Sequence, residues 1–189
     1  MSNIQDKGGI IRTRLVYDPS VKGYDQSFFK TISGTPSISG GNIRLNTAAI
    51  TSYSQYLYGD FHFKANVATT PSAGEAKHWG LRHPATNIGS MFFDITAAVF
   101  SFKSYNEDNT VTSTTVTWNQ QGQTWNGSMT DFRILWTDEE IKAYVSGILV
   151  ATHKIGDNNT PVPLTISNAD ADNMDVDYII ANKIGNLTT

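Results

Sequence analysis

The chain has no cysteine among its 189 residues, which excludes both a disulfide framework and a thiolate metal site. Stability must come from an apolar core, helped at most by a hard cation. Charge is scarce as well: Asp, Glu, Lys and Arg make up 16%, against roughly 25% in an average soluble domain. The net charge is -3 and the 14 Lys and Arg are scattered, so no basic field exists to attract nucleic acid, which is not expected as a partner. No window approaches the ~20 apolar residues of a membrane span, and residues 1–9 lack the roughly 7–15-residue apolar run of an export signal. His62, His78, His83 and His153 never combine with a carboxylate at zinc-site spacing. There is no Gly-x-Ser-x-Gly elbow and no phosphate-cradling glycine loop.

Ser, Thr, Asn and Gly fill the space that charge leaves, and candidate strands recur at short intervals with turn residues between them. No stretch holds an apolar helix period, so an all-β protein is expected. In residues 61–67 Phe61, Phe63, Ala65 and Val67 alternate with His62, Lys64 and Asn66, the period-two pattern of a strand with one buried face. The same alternation groups Phe132, Ile134 and Trp136, then Ile141, Ala143 and Val145. Thr137-Asp138-Glu139-Glu140 is expected as a tight turn between these strands rather than a helix start, and Ser146-Gly147 as the turn into Ile148-Leu149-Val150. Further strands are expected at 10–17, 27–32, 42–46, 111–118, 163–167 and 174–180. Residues 90 to about 102 read as one long central strand covered on both sides. The length suits a single domain over 10–189, preceded by an arm at 1–9 that docks on a partner.

Four segments, in chain order, carry a family resemblance. They are Gly40-Gly41-Asn42-Ile43-Arg44-Leu45, Tyr56-Leu57-Tyr58-Gly59-Asp60-Phe61-His62-Phe63-Lys64-Ala65, the double turn of 132–150, and Val176-Asp177-Tyr178-Ile179. The ordered set spans nearly the whole chain and resembles the concanavalin A-like lectin and glucanase superfamily, in particular the family 16 glycoside hydrolases. The resemblance implies an antiparallel jelly-roll β-sandwich. Enzymes of that group carry a Glu-x-Asp-x-x-Glu strand, because retaining hydrolysis needs two carboxyls roughly 5–5.5 Å apart. The corresponding residues here are Phe92-Phe93-Asp94-Ile95-Thr96-Ala97, so Phe92 and Ala97 stand where the glutamates would be. One carboxylate cannot be both nucleophile and proton donor, and a non-catalytic protein is expected. Glu75, Glu107 and Asp108 are the alternative source of a pair, which leaves a hydrolase or lyase with a non-standard site as the enzymatic reading.

A sandwich without those acids could still bind a polysaccharide in the groove of its concave face. Trp79, Trp118, Trp125 and Tyr105 are the candidate sugar-stacking aromatics, with His78, Arg82 and Asn119 as hydrogen-bonding partners. For the three tryptophans, burial in the core is the competing reading, and Trp136 is assigned to the core outright. Asp94 is either a sugar-hydroxyl acceptor or a satisfied polar group on the sheet. The resemblance also implies a structural Ca²⁺ held by Pro19, Gly41 and Asp177, with Asp175 as a second carboxylate by alternation; the competing reading is a solvated acidic strand end. A polar, weakly charged surface without a leader sequence leads to the expectation of a phage virion component, a capsid decoration, fibre or tail protein, located on the virion surface or otherwise outside cells. A free-standing lectin-like module is the alternative. Expected partners are virion or cell-surface proteins, a polysaccharide and a second copy of the chain.

Overall fold

A computed structural model describes residues 2–5, 10–19, 26–67, 76–97, 99–117, 119–120, 123–124, 127–154 and 159–186. Two antiparallel sheets hold nearly all of them. In the nine-stranded sheet the order is β1 (Ser2–Gln5), β2 (Ile10–Tyr17), β18 (Met174–Asn186), β7 (Gly59–Val67), β14 (Met129–Trp136), β15 (Glu140–Val145) and β16 (Ile148–Lys154). The short β4 (Ser37–Ser39) and β5 (Asn42–Leu45) join it through the first residues of β18. The seven-stranded sheet runs β11 (Val111–Thr115), β10 (Val99–Tyr105), β9 (Met91–Thr96), β8 (Ala76–Leu81), β17 (Val162–Asn168), β6 (Ala48–Tyr56) and β3 (Phe29–Ser33). A small hairpin of β12 (Asn119–Gln120) and β13 (Gln123–Thr124) stands apart.

The alternating faces meet as their periodicity requires. Phe132, Ile134 and Trp136 lie opposite Val145, Ala143 and Ile141, and all six are buried. Phe61, Phe63, Ala65 and Val67 are buried in the same layer. The facing sheet contributes Trp79, Phe93, Ile95, Phe100 and Phe102. Trp79 and Phe93 cross the gap to Phe132, with ring centroids 4.9 and 5.2 Å apart. Edge and tilted ring contacts of this kind add to the area term that makes such a core the main stabiliser.

Turn chemistry is equally explicit. The Thr137 hydroxyl accepts from the backbone N–H groups of Glu139 and Glu140, while Thr137 N–H donates to the Glu140 carbonyl, closing the expected tight turn. Ser146 and Gly147 have φ of 48° and 79°, the left-handed pair that a two-residue hairpin turn needs.

Three expectations change. Residues 90 to about 102 form two strands, β9 and β10, which part at Ala97, whose φ is 48°. Ser2–Gln5, expected in an arm, pairs with β2 as the outermost strand of the nine-stranded sheet, where it satisfies backbone groups that an edge would expose. β6, nine residues long, forms where no strand was expected at all.

Candidate functional site

The turn at Ala97 folds β10 back on β9, and the register sets Ser101 opposite Asp94 and Lys103 opposite Phe92. On the other side β8 sets His78 opposite Asp94 and Gly80 opposite Phe92. Because Phe93 and Ile95 take the core, Phe92, Asp94 and Thr96 point to the open face of the seven-stranded sheet, together with His78, Lys103 and Tyr105.

Asp94 is the centre of this cluster and is almost wholly enclosed. His78 Nε2 lies 2.8 Å from Oδ1 and Lys103 Nζ 2.8 Å from Oδ2. Thr96 donates a hydroxyl at 3.1 Å and Ser101 another at 3.4 Å. Burial pushes the Asp94 carboxyl up, but the hydrogen bonds and charges of His78 and Lys103 outweigh it and hold the group at about 2. His78 Nδ1 is 3.2 Å from Arg82 Nη1 and 3.1 Å from the Ser167 hydroxyl. A guanidinium can only donate, so Nδ1 is an acceptor and the ring proton sits on Nε2, directed at Asp94. Burial, with Arg82 and Lys103 nearby, holds the His78 pKa below its ordinary value despite Asp94.

Phe92 closes the neighbouring position. Its ring stacks on Tyr105 at 5.9 Å, meets His78 edge-on at 5.3 Å and carries the Arg82 guanidinium 5.2 Å above its centroid. Arg82 is fixed by donation to Asn87 at 3.2 Å. Chemically this is an interlocked cation–carboxylate–aromatic set. Asp94 is the one carboxylate in any strand of this sheet. Glu107 and Asp108 lie at the β10–β11 turn, where Glu107 accepts from Asn159 N–H and the Thr160 hydroxyl and Asp108 from Thr110 N–H. Glu75 lies outside the described residues.

Of the expected sugar contacts, the structure brings together His78, Arg82, Asp94 and Tyr105. Trp79 is 0% exposed and stacks between Phe93 and Phe100 in the core, so it cannot reach a sugar; Lys77, Trp79 and Leu81 share the inward face of β8. Trp118, Trp125 and the side chain of Asn119 lie outside the described residues. Ala97 is in the turn, and by alternation Thr96 is the face-mate of Asp94. Sequence reasoning missed Lys103, Ser101 and Ser167, all of which become visible only once the turn at Ala97 sets the register. It also missed an open cleft of about 310 Å³ on the same sheet, lined by Lys30, Thr51, Ser52, Tyr53, Gln55, His83, Pro84, Ala85 and Pro163.

The candidate calcium ligands sit at the other sheet. β18 pairs with β5 up to Val176 opposite Ile43, and with β2 from Ile179 opposite Tyr17, with an irregularity around Asp177. β5 and β2 thus follow one another along one edge of β18, with β7 on the other edge, and Asp177 lies at the junction between them; in the chain Gly41 comes just before β5 and Pro19 shortly after β2. Backbone carbonyls and one carboxylate are oxygen donors that suit a hard cation. Asp177 Oδ2 also lies 3.0 Å from the half-exposed Lys64 Nζ, a contact that a bound ion would displace. Asp175 does not fit: both its oxygens are taken by Arg44 at 2.8 Å. Among the described residues no group of three or more His, Asp or Glu converges.

No family profile matches the sequence, and no curated protein sequence matches it. Solved structures do. A Bacillus licheniformis β-glucanase superposes with a TM-score of 0.71 at 15% identity, over 94% of this chain and 100% of that one. The laminarinase catalytic domain from Thermotoga maritima gives 0.70 at 12% identity, over 93% and 99%. SCLam, a non-specific endo-β-1,3(4)-glucanase of family GH16, gives 0.67 at 12% identity, over 96% and 94%. With two antiparallel sheets in this order and likeness over nearly the full length, the chain has the concanavalin A-like jelly-roll fold of the GH16 glucanases.

Proposed function

We propose that the protein is a non-catalytic carbohydrate-binding attachment module, displayed on a virion or another extracellular surface. The observation that carries the reading is the solitary carboxylate of the seven-stranded sheet. Hydrolysis of a glycosidic bond by two carboxyls needs them roughly 5–5.5 Å apart for retention or about 6.5–9.5 Å for inversion. Asp94 has no such companion in the strands of its sheet, and its proton-handling capacity is suppressed. At a pKa of about 2 it cannot act as an acid near neutrality, and with Lys103 and His78 on its oxygens it is poorly placed to attack. The open face and its cleft remain, and they suit retention of a glycan more than its cleavage. Placement on a virion rests on the low-charge, cysteine-free composition.

Incubation with β-1,3-glucan, mixed-linkage β-glucan and a wider polysaccharide panel tests the first half of the proposal. The expected result is binding without release of reducing ends or unsaturated products. Turnover of any of them would overturn the non-catalytic reading. Absence of binding to every glycan, with and without calcium, would leave only a structural role, which recovery of the chain in purified particles would then have to support.

A further inference from the structure

The open face of the seven-stranded sheet is basic although the protein as a whole carries a net charge of -3. The one carboxylate in its strands, Asp94, is already neutralised by Lys103 at 2.8 Å. Beyond that pair the face holds Lys30, and the Arg82 guanidinium lies over the Phe92 ring, 5.2 Å from its centroid. Neither Lys30 nor Arg82 has a carboxylate within ion-pair distance among the described residues. His83 lines the cleft beside Lys30.

Lys30 and Lys103 lie in one row across the sheet. The strand registers place Lys30 opposite Thr51, Thr51 opposite Thr165, Thr165 opposite Gly80, Gly80 opposite Phe92 and Phe92 opposite Lys103. Five inter-strand steps at roughly 4.8 Å make a track of about 24 Å between the two lysines, longer than any single sugar ring. The middle of the row is enclosed, with Thr51 1%, Thr165 2% and Phe92 2% exposed, so contacts with a ligand fall on the cleft at the Lys30 end. Thr51 and Thr165 are short and tied together, with hydroxyl oxygens 2.9 Å apart. Gly80 has φ +150°, and a Cβ there would lie 2.7 Å from the Met91 carbonyl oxygen and from the Phe92 Cα, so this point cannot rise. At the Lys30 end Tyr53 stands 61% exposed at the rim of the cleft, an aromatic face open to one side of a ring. The Gln55 amide in the same lining can both donate and accept. The cleft volume of about 310 Å³ is at the lower end of the roughly 300–1,000 Å³ range of ligand sites.

We infer that this face binds an anionic polysaccharide, with the carboxylate or sulfate of one sugar at Lys30 in the cleft, that sugar's ring against Tyr53, and the chain running on along the face toward Arg82. The inference rests on the proposed carbohydrate-binding role and names its ligand class. A cation facing open solvent gains from an anion without first breaking an internal pair, and Lys30 and Arg82, two cations on one face without carboxylate partners among the described residues, favour a repeating anion over a single one.

Binding by the intact chain is measured by calorimetry against polygalacturonate (a uronate polymer), a sulfated galactan, and the neutral glucan laminarin at two salt concentrations. The expected result is at least tenfold tighter binding to one of the charged polymers than to laminarin, weakening as salt rises. Lys30→Gln and Tyr53→Ala each lower that affinity about tenfold, whereas Lys154→Gln, on the opposite sheet, leaves it unchanged. Preference for polygalacturonate assigns a carboxylate to the Lys30 end, and preference for the galactan assigns a sulfate. Equal losses from Lys30→Gln and Lys154→Gln would mean diffuse charge attraction and overturn the site. Binding to laminarin as tight as to either polyanion would overturn the anionic assignment while leaving the carbohydrate-binding role intact. Failure to bind any of the three or any other glycan would remove both. Unchanged melting curves for the variants establish that lost binding is not lost folding.

Discussion

His78 gives its Nε2 proton to Asp94 across 2.8 Å, and it is held to that tautomer from behind, because Arg82 can only donate to Nδ1. At neutral pH the pair is therefore a neutral imidazole on a carboxylate, with the balancing charge supplied by Lys103. The two groups respond to acid in the same direction. A histidine whose folded pKa lies below its ordinary 6.5 takes its proton more readily in the unfolded chain, so stability falls as pH drops below about 6.5. His153 adds to this: burial lowers its pKa too, and its two nitrogens face the Ser104 and Thr114 hydroxyls at 2.7 and 2.9 Å. Asp94, lowered from 3.8 to about 2, contributes stability that is nearly complete above pH 4 and is lost between about 4 and 2, on the order of 2 kcal/mol. Urea melts from pH 8 to pH 3 should show declining stability that starts near pH 6.5 and steepens below 4. A His78→Gln, His153→Gln double variant should lose less of its own stability between pH 7 and 5. A stability maximum at pH 4 would refute the assignment.

Trp79 separates packing from binding. Since its indole is wholly enclosed and contacts Phe93, Phe100 and Phe132, Trp79→Ala should cost about 3–5 kcal/mol, as truncation of a large aromatic in a tight core does. Phe63, 1% exposed in the facing sheet, should cost a similar amount on change to Ala. The milder Trp79→Phe should lower the melting temperature by several degrees and leave glycan affinity where it was. Reduced affinity in a folded Trp79→Phe protein would place that indole nearer the ligand than the core packing permits.

Asp177 tests the calcium proposal. Its surface ion pair with Lys64 is worth little on its own, at most ~1 kcal/mol for an exposed pair. If Pro19, Gly41 and Asp177 hold Ca²⁺, Asp177→Ala should lower the melting temperature in calcium and have almost no effect in EDTA, because an ion that binds only the native state stabilises it by mass action. Lys64→Ala should leave the calcium stabilisation intact or strengthen it. Equal losses for Asp177→Ala in both buffers would assign the residue to its ion pair alone.

The nine-stranded sheet was readable because β7, β14 and β15 each bury one apolar face and leave a polar one outward, and a period of two is hard to imitate. The site was only half readable, for reasons that are local. Residues 48–52 of β6 are all buried, so both faces lack the contrast that marks a strand. The β9–β10 turn uses Ala97 at φ 48° where Asn or Gly would have announced it, and without that turn the register that brings Lys103 and Ser101 to Asp94 cannot be written down. In the sequence Trp79 reads as either core or ligand contact, because Lys77, two residues before it on the same inward face, breaks the apolar pattern. That lysine is buried against Asp170, a pairing made by residues 93 positions apart in the chain, which no local pattern reports.

The Lys77–Asp170 pair is itself a prediction. Lys77 is 0% exposed and Asp170 5%, with Nζ 3.6 Å from Oδ2. Asp170 also organises the turn ahead of β18: its Oδ1 accepts from Asp172 N–H, its own N–H donates to Asn168 Oδ1, and Thr47 N–H donates to its carbonyl. Removing one partner of a buried ion pair strands the other charge away from water, which typically costs 3–5 kcal/mol, whereas removing both charges together can be neutral. Lys77→Met should therefore destabilise by about 3–5 kcal/mol, and adding Asp170→Asn, which keeps the oxygen that caps Asp172, should restore a large part of that loss. Denaturant melts of the two single variants and the double variant give the coupling energy directly. Additive losses would mean that the two side chains sit near each other without depending on one another.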